Sequence, residues 1–171
     1  MEMKIKHKNA LIGGLLAIVV VMAVGYAAFS QALIINGNAT IDSNWQIRII
    51  DIAASTTGSG VNSGAEVGSD YLSASFNASL TSPGDTVTYT ITVENQGTIN
   101  AKLSSYNWNS DTVSDTNEPI YFEVNGLSVD SVLNAQERTT FTVIVHYNNN
   151  VTTQPDVTQK EGTLLLTYVQ A

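Results

Sequence analysis

The chain has 171 residues, of which 43% are hydrophobic, and carries a formal net charge of −8, which is enough material for one domain with a buried core. It contains no cysteine, which excludes disulfides, a thiol nucleophile and cysteine-based zinc sites. From Ala28 onward, four basic and 14 acidic residues leave a net charge of −10, and an acidic surface of this kind disfavours nucleic-acid binding because it repels phosphate backbones.

The first predicted element is an N-terminal hydrophobic helix of the type that directs export. Three lysines occur within the first eight residues, and they are followed by the apolar, uncharged run Ala10–Val24. Small residues at Gly25 and Ala27 have the spacing that a signal peptidase requires. We therefore expect cleavage after Ala27, with Ala28 as the new N-terminus.

Two alternatives remain open at this segment. Ser30 and Ala32 provide a second small-x-small site for the peptidase, and the uncharged run through Phe29 is long enough to remain as a membrane anchor. In each case the lysines stay in the cytoplasm. We expect export through the cytoplasmic membrane, to the medium or the cell surface, and contact with the membrane only through this segment. The expected divisions are 1–27 for the signal peptide or anchor, 28–38 for an N-terminal extension and 39–171 for the exported domain.

Beyond Phe29 the hydrophobic period changes from that of a helix to that of β-strands. Segments such as "TYTITV" and "FTVIVHY" alternate apolar and polar residues, as half-buried strands do, and turn signals separate them at 82–85, 95–97 and 125–126. The pattern predicts an all-β fold, an antiparallel two-sheet sandwich of jelly-roll or Ig-like type, preceded by the export helix. The expected core consists of Trp45, Ile47, Phe76, Val87, Tyr89, Ile91, Val93, Phe122, Phe141, Val143, Val145 and Leu165 or its neighbours Leu164 and Leu166.

The stretch Ala53–Asp70 is rich in glycine and serine and predicts an irregular loop. A phosphate-binding glycine loop would need a following helix and a lysine, and the sequence offers neither at this position. We therefore expect this stretch to be a connection without a binding function.

Catalytic chemistry finds little support, and we expect a protein that is not an enzyme and that needs no cofactor or metal. The exported part has one histidine, His146, which falls on the polar face of its strand, and it has no nucleophile-elbow or zinc-protease motif. The loop Asp111–Glu118 gathers carboxylates without the spacing of a calcium-binding loop, so a solvated loop is expected there. A glycan hydrolase would need two carboxylates paired across a cleft, and the sequence pairs none.

Two motifs resemble those of a known family of exported bacterial proteins. The run Gly25–Ser30 resembles the SipW-type signal region of the TasA/camelysin family, and the stretch Leu80–Leu103 resembles the family's Pro-Gly-Asp strand and Asn-x-Gly turn. The matching residues are Gly25, Tyr26, Ala27, Ala28, Phe29 and Ser30 in the first motif, and Pro83, Gly84, Asp85, Asn95 and Gly97 in the second. Gln31 departs from the family pattern, in which an acidic residue is usual.

The resemblance implies a subunit of an extracellular fibre or biofilm matrix, exported through the cytoplasmic membrane of a prokaryote. In that family, the N-terminal strand of one subunit fills a gap in a sheet of the next. The residues Ala32, Leu33, Ile34 and Ile35 fit this role, because they form an apolar strand at the start of the mature chain and strand addition gives affinity through main-chain hydrogen bonds. The expected partners are other copies of the chain or other matrix proteins, and signal peptidase during export.

Two further interpretations stay open. The apolar strand could fold back as an edge strand of its own domain, in which case no assembly follows. The protein could also be a membrane-tethered Ig-like module that acts in surface binding or adhesion.

Overall fold

The computed structural model describes the backbone of residues 2–29 and 36–171, and the side chains of residues 7–22 and 36–171. Helix α1 spans Glu2–Phe29, in agreement with the prediction of an N-terminal helix. The chain divides into two compact units, Met1–Ile41 and Asp42–Ala171. The second unit contains all of the strands found among the described residues.

The strands in chain order are β1 (Ile47–Thr57), β2 (Val61–Val67), β3 (Ala74–Ser79), β4 (Thr86–Asn95), β5 (Ala101–Trp108), β6 (Ile120–Asn125), β7 (Val132–Leu133), β8 (Arg138–Tyr147) and β9 (Leu164–Gln170). A single 3-10 turn, Asp111–Ser114, lies between β5 and β6. All of the described strand pairs are antiparallel. The predicted all-β class, with an antiparallel sandwich preceded by a helix, is thus confirmed.

One layer of the sandwich is a four-stranded sheet with the order β1-β4-β8-β6. Its central strands β4 and β8 alternate in burial along their length, because every second side chain points inward. The inward residues of β4 are Val87, Tyr89, Ile91 and Val93, and those of β8 are Phe141, Val143 and Val145; all seven are buried. These strands form the centre of the core.

The other strands form two smaller sheets, a pair β2-β3 and a triplet β7-β5-β9. Residues of both smaller sheets pack on the buried cluster of the four-stranded sheet, among them Phe76 of β3 and Leu166 of β9. No described strand joins β3 to β9, so each is the last strand of its sheet.

The predicted core is largely confirmed. The residues Val87, Tyr89, Ile91, Val93, Phe122, Phe141, Val143 and Val145 are buried, and Ile47, Phe76, Leu164 and Leu166 are half-buried and pack against them. Trp45 was wrongly assigned to the core, since it precedes β1 and is 44% exposed. Leu165 points away from the core and its two neighbours point inward.

The predicted loop Ala53–Asp70 is also wrong. Strand β1 continues to Thr57, where residues 53–57 pair with residues 86–90 of β4, and β2 occupies 61–67. Pairing with a long neighbouring strand has overridden the weak strand propensity of Ala, Ser and Gly. The chain changes sheets between β1 and β2, where Gly58 adopts a φ of 73° that a side chain would disfavour.

Candidate functional site

A cleft of the β unit has a volume of about 1440 Å³ and is lined by both β3 and β9. The buried face of the four-stranded sheet contributes the floor, with Val93, Phe122 and Val143 among the lining residues. Because β3 and β9 are the last strands of their sheets, the cleft separates two sheet edges. We call it the edge groove.

The inward side chains along the edge groove are only half-buried. On β3 these residues are Ala74, Phe76 and Ala78, and on β9 they are Leu164, Leu166 and Tyr168. The inward positions of β4 and β8 are fully buried by comparison. The second layer of the sandwich is therefore open between β3 and β9, over a length of six to seven strand residues, which is roughly 20–24 Å.

The two edges that border the groove contain no charged residue. Strand β3 reads ASFNAS and β9 reads LLLTYVQ. The other long edge strands carry charges, with Arg48 and Asp51 on β1, Glu66 on β2 and Glu123 on β6, and β7 is only two residues long. Natural sheets protect free edges with charges or by keeping them short, and β3 and β9 have neither protection.

An aromatic cluster forms part of the groove wall and floor. Phe76 stacks on Tyr89 with ring centroids 4.3 Å apart and approaches Phe122 at 6.3 Å, and Trp108 meets Phe122 edge-on at 5.5 Å. The Tyr89 hydroxyl donates to the carbonyl oxygen of Asn77 at 2.7 Å. Burial raises the pKa of Tyr89 to about 12, so it stays neutral as a donor that fixes β3 against the four-stranded sheet.

Asp85, the aspartate of the Pro-Gly-Asp motif, joins two turns at one end of the sandwich. Its carboxylate accepts backbone N–H bonds from Ser59 at 2.7 Å, Ser82 at 2.8 Å and Thr81 at 2.9 Å. These donors lower the pKa of Asp85, the Ser59 N–H most strongly. Asp85 thus ties the β1–β2 turn to the β3–β4 turn, and its role is structural.

The Asn-x-Gly turn, formed by Asn95 to Gly97, contacts the segment that leads into β1. The fully buried Asn95 side chain donates to the carbonyl oxygens of Ile99 and Leu133 at 2.8 and 3.1 Å. A side chain on Gly97 would collide with the carbonyl oxygen of Asn44 and would lie 2.9 Å from the backbone nitrogen of Gln46. The chain just before β1 is therefore pressed against this turn.

The long connection before β9 is fixed by polar contacts. Lys160, whose side chain is 12% exposed, pairs with Glu118 at 3.3 Å. The side-chain oxygen of Asn109 accepts the backbone N–H of Thr163 at 3.0 Å. Since residues 158–163 line the edge groove, these contacts hold part of its wall in place.

The histidine and the acidic loop considered in the sequence analysis make contacts within the fold. His146 lies on the face of β8 opposite its buried residues, as predicted. It is half-buried, stacks on Tyr121 with ring centroids 4.5 Å apart and pairs with Glu123 at 3.0 Å. In the loop Asp111–Glu118, Asp115 accepts from the backbone N–H of Asn117 at 2.9 Å. Within the described part of the chain, no group of three or more acidic or histidine side chains could hold a metal ion.

The predicted processing and assembly residues fall at the limits of what is described. Ala27 and Ala28 lie in α1, and their side chains are outside the described set. The predicted assembly strand, Ala32, Leu33, Ile34 and Ile35, lies outside the described residues altogether. Residues 36–41, which follow it, have no regular secondary structure, and Ile41 is 94% exposed.

The edge groove was not predicted from the sequence. The residues of β3 and β9 were recognised only as strands, and their location beside a gap depends on pairing that the sequence does not reveal. The lack of charge in both strands was an available signal, because a free edge of that composition is a predicted aggregation site.

Comparisons with known proteins add no assignment. No family model matches the chain, and no curated protein matches it significantly. Among the residues that the structure describes, no helix has the length and hydropathy that a membrane span requires.

Proposed function

We propose that this protein is an exported structural subunit, which assembles into an extracellular fibre or matrix by exchanging strands between copies. The N-terminal segment of one mature chain serves as the donor strand. The edge groove of the next chain serves as the acceptor. In this proposal the chain belongs with TasA/camelysin-like proteins.

The observation that carries the proposal is the pair of uncharged edges, unpaired among the described residues, on either side of a groove whose floor is apolar. Each edge leaves a row of backbone N–H and C=O groups without a strand partner among the described residues. A single inserted strand would satisfy both rows and would cover the half-buried inward side chains. Main-chain pairing and apolar burial would then act together, as they do in other cases of strand addition.

The donor is assigned to the N-terminal segment because of its length and composition. Cleavage after Ala27 would leave residues 28–41 ahead of the β unit, and these 14 residues carry no charged side chain. A donor needs only six or seven of them to match the length of β3 and β9.

Export supplies the control in this proposal. Before cleavage the segment is joined to α1, and after cleavage it is free to pair with another copy. Signal peptidase would then be the processing partner, and the product would reside in the medium or on the cell surface. Catalysis has no part in it.

The test uses purified mature protein, residues 28–171, observed by electron microscopy and light scattering. We expect filaments from the parent chain. The double variant Ile34→Asp/Ile35→Asp should give folded monomers, as judged by circular dichroism, because charges would have to enter an apolar site. A parent chain that stays monomeric at high concentration and at low pH would disprove the fibre proposal and would leave a displayed surface module as the better interpretation.

A second arm separates exchange between copies from insertion into the same copy. A chain that starts at Asp42 keeps the groove and lacks the donor, so it can accept a strand but cannot pass one on. Small amounts of this chain should shorten the filaments of the parent. Filaments of unchanged length would argue that each donor strand folds into its own domain.

A further inference from the structure

The N-terminal segment has two chemically different faces when it is extended, because successive side chains of a strand point to opposite sides. The even-numbered face is mainly polar or small, with Ser30, Ala32, Ile34, Asn36, Asn38 and Thr40. The odd-numbered face is mainly apolar, with Phe29, Leu33, Ile35, Ala39 and Ile41, interrupted by Gln31 and Gly37. The two faces are therefore not equivalent as occupants of a groove.

The inside of the edge groove requires an apolar face. Phe76 and Ala78 of β3 and Leu166 of β9 point inward along its sides, and buried residues such as Val143 form the floor. A polar side chain packed against these apolar residues would lose its hydration without finding a hydrogen-bond partner among them. The odd-numbered face meets this requirement over a greater length than the even-numbered face does.

The outer face of the same layer is exposed to solvent and therefore favours polar side chains. The outward residues of β3 are Ser75, Asn77 and Ser79, and all three are exposed. The outward residues of β9 are Leu165, Thr167 and Val169, also exposed. A strand between them would present its outer face to solvent, beside a polar row on one side and a mixed row on the other. The even-numbered face, polar apart from Ala32 and Ile34, matches these neighbours.

Resting on the proposed function, we infer that the odd-numbered face is the one that enters the groove, with Leu33 and Ile35 inward and Ile34 outward. The acceptor therefore selects its partner by face. The occupant that it fits is a charge-free strand from a second copy of this chain, with large apolar residues at alternate positions.

The two single variants Ile35→Asp and Ile34→Asp test this inference directly. They have the same composition, mass and net charge, so general repulsion between acidic subunits affects both equally. Each is prepared as residues 28–171, and the concentration at which it begins to assemble is measured by light scattering at fixed salt. Circular dichroism confirms that both remain folded.

We expect Ile35→Asp to raise the assembly concentration by more than about 100-fold, because a carboxylate must enter an apolar space. Ile34→Asp should stay within about tenfold of the parent, the range set by strand propensity at an exposed position. Equal losses in both variants, or a greater loss in Ile34→Asp, would overturn the choice of face and leave strand exchange intact. Two variants that both assemble like the parent, or a parent that never assembles, would overturn strand exchange and the choice of face together.

Discussion

Phe76 and Tyr89 stack at a centroid distance of 4.3 Å, yet Tyr89 is completely buried and Phe76 is only half-buried. Tyr89 lies on β4, a central strand of the four-stranded sheet, and Phe76 lies on β3, an edge strand that borders the edge groove. The pair therefore marks the boundary between the buried core and the edge groove, which receives a strand in the proposed function. Stability of the monomer should depend mainly on the first kind of residue, and assembly on the second.

The first prediction concerns the buried core. Phe141 lies on β8 and is 5% exposed, so Phe141→Ala should lower the free energy of unfolding by about 3–5 kcal/mol through lost burial and a new cavity. Urea unfolding of the monomeric double variant Ile34→Asp/Ile35→Asp gives a suitable background. Phe76→Ala in the same background should cost less, because its site is already partly open. Equal losses of unfolding free energy in Phe141→Ala and Phe76→Ala would contradict this distinction between core residues and groove residues.

The second prediction concerns Asp85 and acid. Its N–H donors lower its pKa in the folded chain, below the value of about 3.9 that an unfolded aspartate has. Its contribution to stability is therefore complete above the unfolded pKa and is lost as the pH falls through the folded pKa. Asp85→Asn should lower the melting temperature at pH 7, and the difference from the parent should narrow in acid. A difference that stays constant from pH 7 to pH 2 would show that the charge has no part in it.

The third prediction concerns the turn at Gly97. A side chain there would collide with the backbone of Asn44 and Gln46, so Gly97→Ala should cost about 1–3 kcal/mol through overpacking. Gly64→Ala is the matched control, because its new methyl group would meet only one atom within 4 Å, at 3.8 Å, on Asn77. Chemical denaturation compares the two. A similar cost for both would indicate that glycine is needed for general backbone reasons.

Alternation in the sequence was sufficient to predict the central strands of the four-stranded sheet, because every second side chain of β4 and β8 is apolar and buried over most of their length. It failed at 53–57, where Ala, Ser and Thr form a strand because the central strand β4 pairs with them. It also failed at Trp45, since a large apolar residue at the start of a strand is buried only if a neighbour covers it. The groove itself depends on which strands pair, and that is decided by tertiary contacts rather than by local pattern.

The fourth prediction concerns processing. The peptidase pocket admits only small side chains, so Ala27→Leu should block cleavage before Ala28 and leave the precursor at the membrane. Mass spectrometry of membrane and medium fractions gives the N-terminus in each. If the variant is exported with an N-terminus at Leu33, the site at Ser30 and Ala32 is the one in use, and the donor strand would lose its first residues.

The fifth prediction uses the two tryptophans as reporters of the groove. Both Trp45 and Trp108 line it, but Trp45 is 44% exposed and Trp108 packs against Phe122. An inserted strand would remove water mainly from Trp45, so tryptophan emission should shift to shorter wavelengths as filaments form. Trp45→Phe should remove most of this shift, and Trp108→Phe should keep it. The peptide of residues 28–41, added to the Ile35→Asp chain, should cause the same shift without filaments, because it fills the groove and offers no further acceptor. Filaments that form with no change in emission would place the contact between subunits elsewhere on the domain.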